Sequence, residues 1–128
     1  MRAQVEAELK RVVERTAEAF GATAELTYEH FADAVVNDAR LSKVAENAIQ
    51  ELFGADTLVP VLPQMSSEDY SYYLAKAPGV FCFLGGRNPA KGCDAPNHSD
   101  HFAVDEDMLW RGAALFARFA CDYLKPDA

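Results

Sequence analysis

Imidazole and thiolate groups are the side chains best suited to hold transition metals near neutral pH, and this chain gathers several of them in one place. Cys93, His98, Asp100 and His101 fall within nine residues. A neutral imidazole suits Zn, Mn, Co or Ni. The spacing Cys93-x4-His98-x2-His101 matches no standard zinc module, so two readings stand. One is a small mononuclear metal protein using Cys93, His98 and His101; the other is a solvated loop that takes up metal only adventitiously.

A second candidate is Ser67-Glu68-Asp69, because adjacent carboxylates often do acid/base work. The same residues also make a good helix start, with Ser67 as cap and Glu68 and Asp69 against the positive end of the helix dipole. That structural reading is preferred. Gly85-Gly86 lacks the spacing of a phosphate-binding loop and reads as a turn. Tyr70, Tyr72, Tyr73, Phe81 and Phe83 could line an acyl or aryl pocket, although core packing is the simpler role for aromatic side chains so spaced. Cys82 and Cys121 read as core residues, and His30 as a surface one. No residue is assigned a catalytic role.

These groups need a frame. Val5, Leu9, Val12, Val13, Thr16 and Phe20 recur at helical steps, so the first twenty residues form an amphipathic helix that starts without a cap and ends at Gly21. Ala24 to Phe31 alternates as a strand does. Asp38 caps a second helix with Leu41, Val44, Ala45, Ala48, Ile49, Leu52 and Phe53 on one face, closed by Gly54. Thr57 to Leu62 reads as a strand, Glu68 to Lys76 as a short helix, and Val80 to Leu84 as a covered strand. Gly85 to Ala103 is a long connection rich in Gly, Pro, Asn and Asp, and a connection of that length is usually functional. Asp105 caps the last helix, whose inner face is Met108, Leu109, Gly112, Leu115, Phe116, Phe119, Ala120 and Tyr123. Strands alternating with helices place the chain in the α/β or α+β class, and α/β is the expectation.

The 128 residues suffice for one compact domain or for pieces of two. Apolar residues at 50% and charged residues at 25% are globular proportions. A net charge of −8 argues against nucleic acid and against anionic membrane surfaces as partners. Three cysteines without C-x-x-C spacing favour reduced thiols. The N-terminus lacks an apolar signal region and no run reaches the length of a membrane span, so a cytoplasmic protein is expected.

Met65-Ser66-Ser67-Glu68-Asp69-Tyr70-Ser71, Pro78-Gly79, Phe81-Cys82-Phe83-Leu84-Gly85, Asn97-His98-Ser99-Asp100-His101-Phe102 and Asp105-Glu106 follow one another in an order that resembles the C-terminal end of the M20 metallopeptidase/amidohydrolase family, which includes N-acyl-amino-acid and hippurate hydrolases. The resemblance implies that His98 is a metal ligand, standing where the family has the histidine of His-Ser-Pro-x-Phe. Here Asp100 replaces the frequent proline, and Ala103 stands where Asp is common. It also implies a divalent metal (Zn, Mn, Co or Ni) in the parent enzyme, whose remaining ligands and general-base Glu belong to an upstream segment. The His-Asp-x-His and paired-Glu signatures that would carry them do not occur in this chain.

By the same resemblance, residues 1–36 are the last helix and strand of a lid (dimerisation) domain, and residues 37–128 are the C-terminal segment of the catalytic domain. The implied function is that of the tail of an enzyme that hydrolyses N-acyl amino acids or small peptides, inactive alone and without stoichiometric metal. A non-catalytic dimerising or binding module is the alternative. In either case a homo-oligomer through the N-terminal helix and strand is expected, because an unpaired strand edge recruits partners, with partial disorder of residues 1 to 31 as the alternative.

Overall fold

The computed structural model describes residues 1–125. The chain divides into two compact units, Met1–Phe31 and Ala32–Ala128.

The first unit is a helix, α1 (Arg2–Ala19), followed by an extended segment. No side chain caps the start of α1. Its end is closed by Gly21 at φ 67°, with Gly21 N–H donating to Glu18 O at 3.0 Å and Ala22 N–H to Ala17 O at 2.9 Å. That is the left-handed closure glycine permits at no steric cost. No residue of α1 is buried, and Val5, Leu9 and Val12 are exposed. Tyr28 and His30 meet edge to face at 5.1 Å. His30 Nε2 lies 3.0 Å from Glu6 Oε2, with its side chain half exposed.

In the second unit, α2 (Ala39–Phe53) begins where Asp38 Oδ1 accepts from Leu41 N–H at 2.8 Å. It ends at Gly54, φ 92°. Its buried residues are Leu41, Ala45 and Ala48, the inner line of the apolar stripe in the sequence. α2 packs against the last helix, α4 (Leu109–Tyr123), with a short α3 (Ser71–Leu74) between them in the chain. Phe53 of α2 meets Trp110 of α4 at 5.7 Å, and the Arg111 guanidinium lies over both rings at 5.4 and 5.6 Å. Arg118 bridges the two helices, pairing with Glu51 and, at 2.6 Å, with Asp122.

The expected strands do not form a sheet. Among the described residues the one β-pairing is an isolated antiparallel bridge between Asn88 and Cys93. Ala24–Phe31, Thr57–Leu62 and Val80–Leu84 contain no strand, and Ala55–Thr57 is a turn of 3₁₀ helix. A strand is defined by the neighbour that takes its N–H and C=O groups. Alternation fixes which side chains share a face but supplies no neighbour, and Val59, Val61 and Leu62 are exposed.

Around Val80–Leu84, side chains and single backbone bonds stand in for a ladder. Asn37 Oδ1 accepts from Phe81 N–H at 2.8 Å while Asn37 Nδ2 donates to Phe81 O at 3.0 Å. Asp38 N–H donates to Gly79 O at 3.0 Å. α4 lies close over this segment at Gly112, where an added Cβ would come 3.3 Å from Leu84 Cδ2.

The short helix is the single turn α3, not Glu68–Lys76, and Ser67 does not cap it. Instead Glu68 Oε1 accepts from Tyr70 N–H at 3.3 Å. α4 buries no residue fully, and Phe116, placed on its inner face by periodicity, is 80% exposed. Tyr70, Phe81 and Phe83 make a chain of ring contacts at 5.5 and 5.3 Å. Yet Tyr72, Tyr73 and Phe83 are exposed, so this cluster is not core. Cys82 and Cys121 are exposed too, and Cys93 is the buried thiol; all three are free.

Candidate functional site

The connection from Gly85 to Ala103 leaves the Val80–Leu84 segment and returns to α4, and its first half is a closed turn. Asn88 and Cys93 exchange backbone hydrogen bonds, Asn88 N–H to Cys93 O at 2.7 Å and Cys93 N–H to Asn88 O at 3.0 Å. Asn88 Oδ1 accepts from Ala90 N–H at 3.2 Å. Gly92 supplies the left-handed residue the turn requires, at φ 74°. Cys93 is buried at the base of this turn, its Sγ 3.7 Å from Lys91 O.

The second half carries His98. Ser99 N–H donates to Pro96 O at 3.2 Å, Phe102 N–H to Ser99 O at 3.1 Å, and His101 N–H to Ser99 Oγ at 3.1 Å. His98 is exposed and adopts φ 67°, the one positive φ outside glycine among the described residues. The left-handed region costs an L-residue roughly 1–2 kcal/mol. Strained backbone of this kind clusters at ligand-binding and catalytic positions.

Cys93, His98 and His101 do not converge. Cys93 is buried against Lys91, whereas His101 is exposed and lies 3.7 Å from its neighbour Asp100. Among the described residues no group of three or more His, Cys, Asp or Glu side chains could hold a metal ion. The mononuclear site that the spacing left open is therefore not built here. Among the described residues, no such group forms around the His98 imidazole.

The strongest electrostatics of the connection lie at its return. Asp105 is 8% exposed. Its Oδ2 accepts from Asn88 Nδ2 at 2.7 Å, and its Oδ1 accepts from Lys91 Nζ at 2.6 Å and from Asp107 N–H at 3.2 Å. Lys91 pairs with Asp107 as well. Lys91, and then Asn88, hold the Asp105 carboxyl below the ordinary carboxylate range. Asp105, and then Asp107, push the Lys91 ammonium well above its ordinary value. Cys82 is exposed, yet desolvation by the protein around it raises its thiol above the ordinary value, which makes it a poorer nucleophile.

The sequence shows Asp105 as a helix cap, and it is one, with Glu106 and Asp107 in the first turn of a 3₁₀ segment leading into α4. Its partnership with Lys91 and Asn88 spans 14 and 17 residues and leaves no periodic signal. Ser67, Glu68 and Asp69 lie elsewhere, as a turn leading into α3, where Asp69 O accepts from Tyr72 N–H at 2.9 Å.

Residues 3–122 match Peptidase family M20/M25/M40. Thermostable carboxypeptidase 2 of Saccharolobus solfataricus is 38% identical over 116 residues, which are 90% of this chain and 29% of that protein. Two IAA-amino acid hydrolases of Arabidopsis thaliana, ILR1-like 4 and ILR1-like 2, are 39% and 38% identical over 70% and 73% of this chain. The matched regions cover 20% and 21% of those two proteins, so the chain spans less than a third of the length of these relatives.

Proposed function

The chain belongs to peptidase family M20/M25/M40, and on that premise we propose that it is the C-terminal portion of a metal-dependent amidohydrolase, supplying one metal ligand, His98, to an active site completed by upstream polypeptide. The observation that carries this is the coincidence of motif and strain. The residue standing at the family's histidine position is also the one non-glycine residue among those described that is held at positive φ, exposed on a connection braced at its base.

A bound divalent ion polarises a carbonyl and lowers the pKa of a coordinated water. This chain's part is to present the His98 imidazole, with the Pro96–Phe102 turn fixing the backbone that aims it. The carboxylate base and remaining ligands come from outside these residues, so the chain alone does not hydrolyse amides. The substrate class we propose is N-acyl amino acids or small peptides, supported by relatives named as a carboxypeptidase and as amino acid hydrolases. We assign residues 1–36 to a lid (dimerisation) domain, its helix and extended segment pairing with a second copy. The exposed Val5, Leu9 and Val12 of α1 support that pairing, and a light-scattering mass equal to one chain would refute it. Three free thiols and an acidic composition support a cytoplasmic setting. None of the helices is long and apolar enough to cross a membrane among the described residues.

Two measurements test the reading. Elemental analysis of chelator-treated protein is expected to show substoichiometric metal that His98→Ala does not change. Mixing the chain with the upstream segment of the carboxypeptidase relative is expected to give N-acyl-amino-acid hydrolysis that His98→Ala removes. Stoichiometric metal lost with His98 in the chain alone, or mixed activity indifferent to the substitution, overturns it.

A further inference from the structure

Both limbs of the connection that carries His98 converge on one carboxylate. The outgoing limb reaches Asp105 through Asn88 Nδ2 at 2.7 Å and Lys91 Nζ at 2.6 Å. The returning limb is Asp105 itself, whose N–H donates to Gly86 O at 2.8 Å and whose O accepts from Met108 N–H at 2.9 Å. Those bonds join the start of the connection, its closed turn and the entry to α4 at a single buried residue. Apolar anchoring on the returning limb is thin, since Phe102 and Val104 are both partly exposed. Val104 lies against the outgoing limb at Gly86, where an added Cβ would come 3.2 Å from its Cβ.

A left-handed residue outside glycine persists only where its surroundings over-determine it. The turn around His98 has three hydrogen bonds of its own, all between residues 96 and 102. They fix the turn's shape and do not fix where it stands. Releasing the base would return the connection to a wide ensemble, because the entropy lost on closing a loop is recovered when its ends part.

We propose that Asp105, through Lys91 and Asn88, is the positioning residue for His98, a tie that places the imidazole without touching it. This rests on the reading of His98 as a metal ligand, and it adds to that reading a residue seven positions away whose side chain faces the other limb of the connection. Asp105 takes no part in coordination here, since its oxygens are occupied by Asn88, Lys91 and the Asp107 N–H.

The test is hydrogen exchange on the intact chain, with His98 ring proton signals recorded in the same samples. Asp105→Ala is expected to speed exchange at the Ser99, His101 and Phe102 amides by about tenfold, the scale of one lost net hydrogen bond. The α2 amides around Ala45 are expected to change by less than about twofold. Lys91→Met is expected to give a smaller change of the same pattern, and Lys91→Arg to retain the wild-type pattern, so the test survives if Asp105→Ala fails to fold. Unchanged exchange at residues 99–102 in Asp105→Ala or Lys91→Met, or an equal acceleration throughout α2 and α4, overturns the proposal, the second outcome marking a merely structural residue. Zn²⁺ alone serves as the probe for the ligand reading. A His98 ring signal that fails to respond to Zn²⁺ in the chain completed by the upstream segment sinks that reading, while the exchange pattern still decides whether Asp105 positions the turn.

Discussion

The α2–α4 pair and the Gly85–Ala103 connection lie in the same unit and are held by different forces. Between the helices, Leu41, Ala45 and Ala48 are buried on α2, and Phe53 meets Trp110 beneath the Arg111 guanidinium. That contact is mainly apolar, built on α2 from residues three and four apart, and it tolerates small shifts because burial has no preferred direction. The connection buries little beyond Cys93 and Asp105. It keeps its shape through directional bonds converging on Asp105, which lose their strength once geometry departs from the ideal. The helical scaffold thus rests on non-directional burial, whereas the shape of the connection rests on a few polar contacts.

The largest expected effect falls on the helical side. Leu41 is 2% exposed, the largest fully buried side chain among the described residues. Leu41→Ala should cost about 2–5 kcal/mol in thermal or urea unfolding. If the two regions are held independently, exchange at residues 99–102 should rise only with global unfolding; earlier opening of the connection would break the contrast.

Capping comes next. Asp38 Oδ1 accepts from Leu41 N–H at 2.8 Å, and Asp38→Ala should cost about 1 kcal/mol, read as a lowered denaturation midpoint. A loss several times larger would mean that the neighbouring Asn37 clasp on Phe81 fails with the cap.

Within the connection, the strain at His98 predicts a difference between two small substitutions. His98→Gly should be more stable than His98→Ala by about 1 kcal/mol, since glycine accepts φ 67° and alanine does not. Equal stabilities would mean that the turn relaxes and stores no strain.

The mildest effect is expected from acid. Lys91, and then Asn88, lower the Asp105 pKa, while Lys125, and then Arg118, lower that of Asp122 in α4. The unfolded chain takes up those protons first as pH falls. The stability these carboxylates contribute is therefore complete above the ordinary carboxylate range and lost as pH drops below about 4 through their lowered folded values. The cationic partners Lys91, Arg118 and Lys125 are partly open to solvent, so the loss is modest. Exchange followed from pH 6 to pH 3 should show residues 99–102 loosening before α2, whose buried contacts carry no charge. Simultaneous loosening would show that one cooperative unit holds both.

Much of the helical side could be read from the chain. The stripe from Leu41 to Phe53, its Asp38 cap and its Gly54 closure are local patterns, and each is present. The Gly21 closure of α1 and the Asp105 cap are local for the same reason. A residue's state is not legible in the chain wherever it depends on what lies opposite it. Alternation in Ala24–Phe31, Thr57–Leu62 and Val80–Leu84 gave no ladder, because a strand's partner is remote in sequence. Phe116, Cys82 and Cys121 carry apolar side chains at core-like spacing and are nonetheless exposed. Burial requires a neighbour, and periodicity identifies only a face.

The candidate site divides along the same line. By itself the sequence determined the family, the position of His98 and the helices that frame its connection, since motif order and helical periodicity are carried by neighbours along the chain. Tertiary structure decided that Cys93 turns inward while His98 stands exposed at positive φ, and that Lys91 and Asn88 meet Asp105 across 14 and 17 residues. Hydrogen bonds and charge pairs act over a few ångströms of space, and only the folded chain brings residues so far apart in sequence within that range.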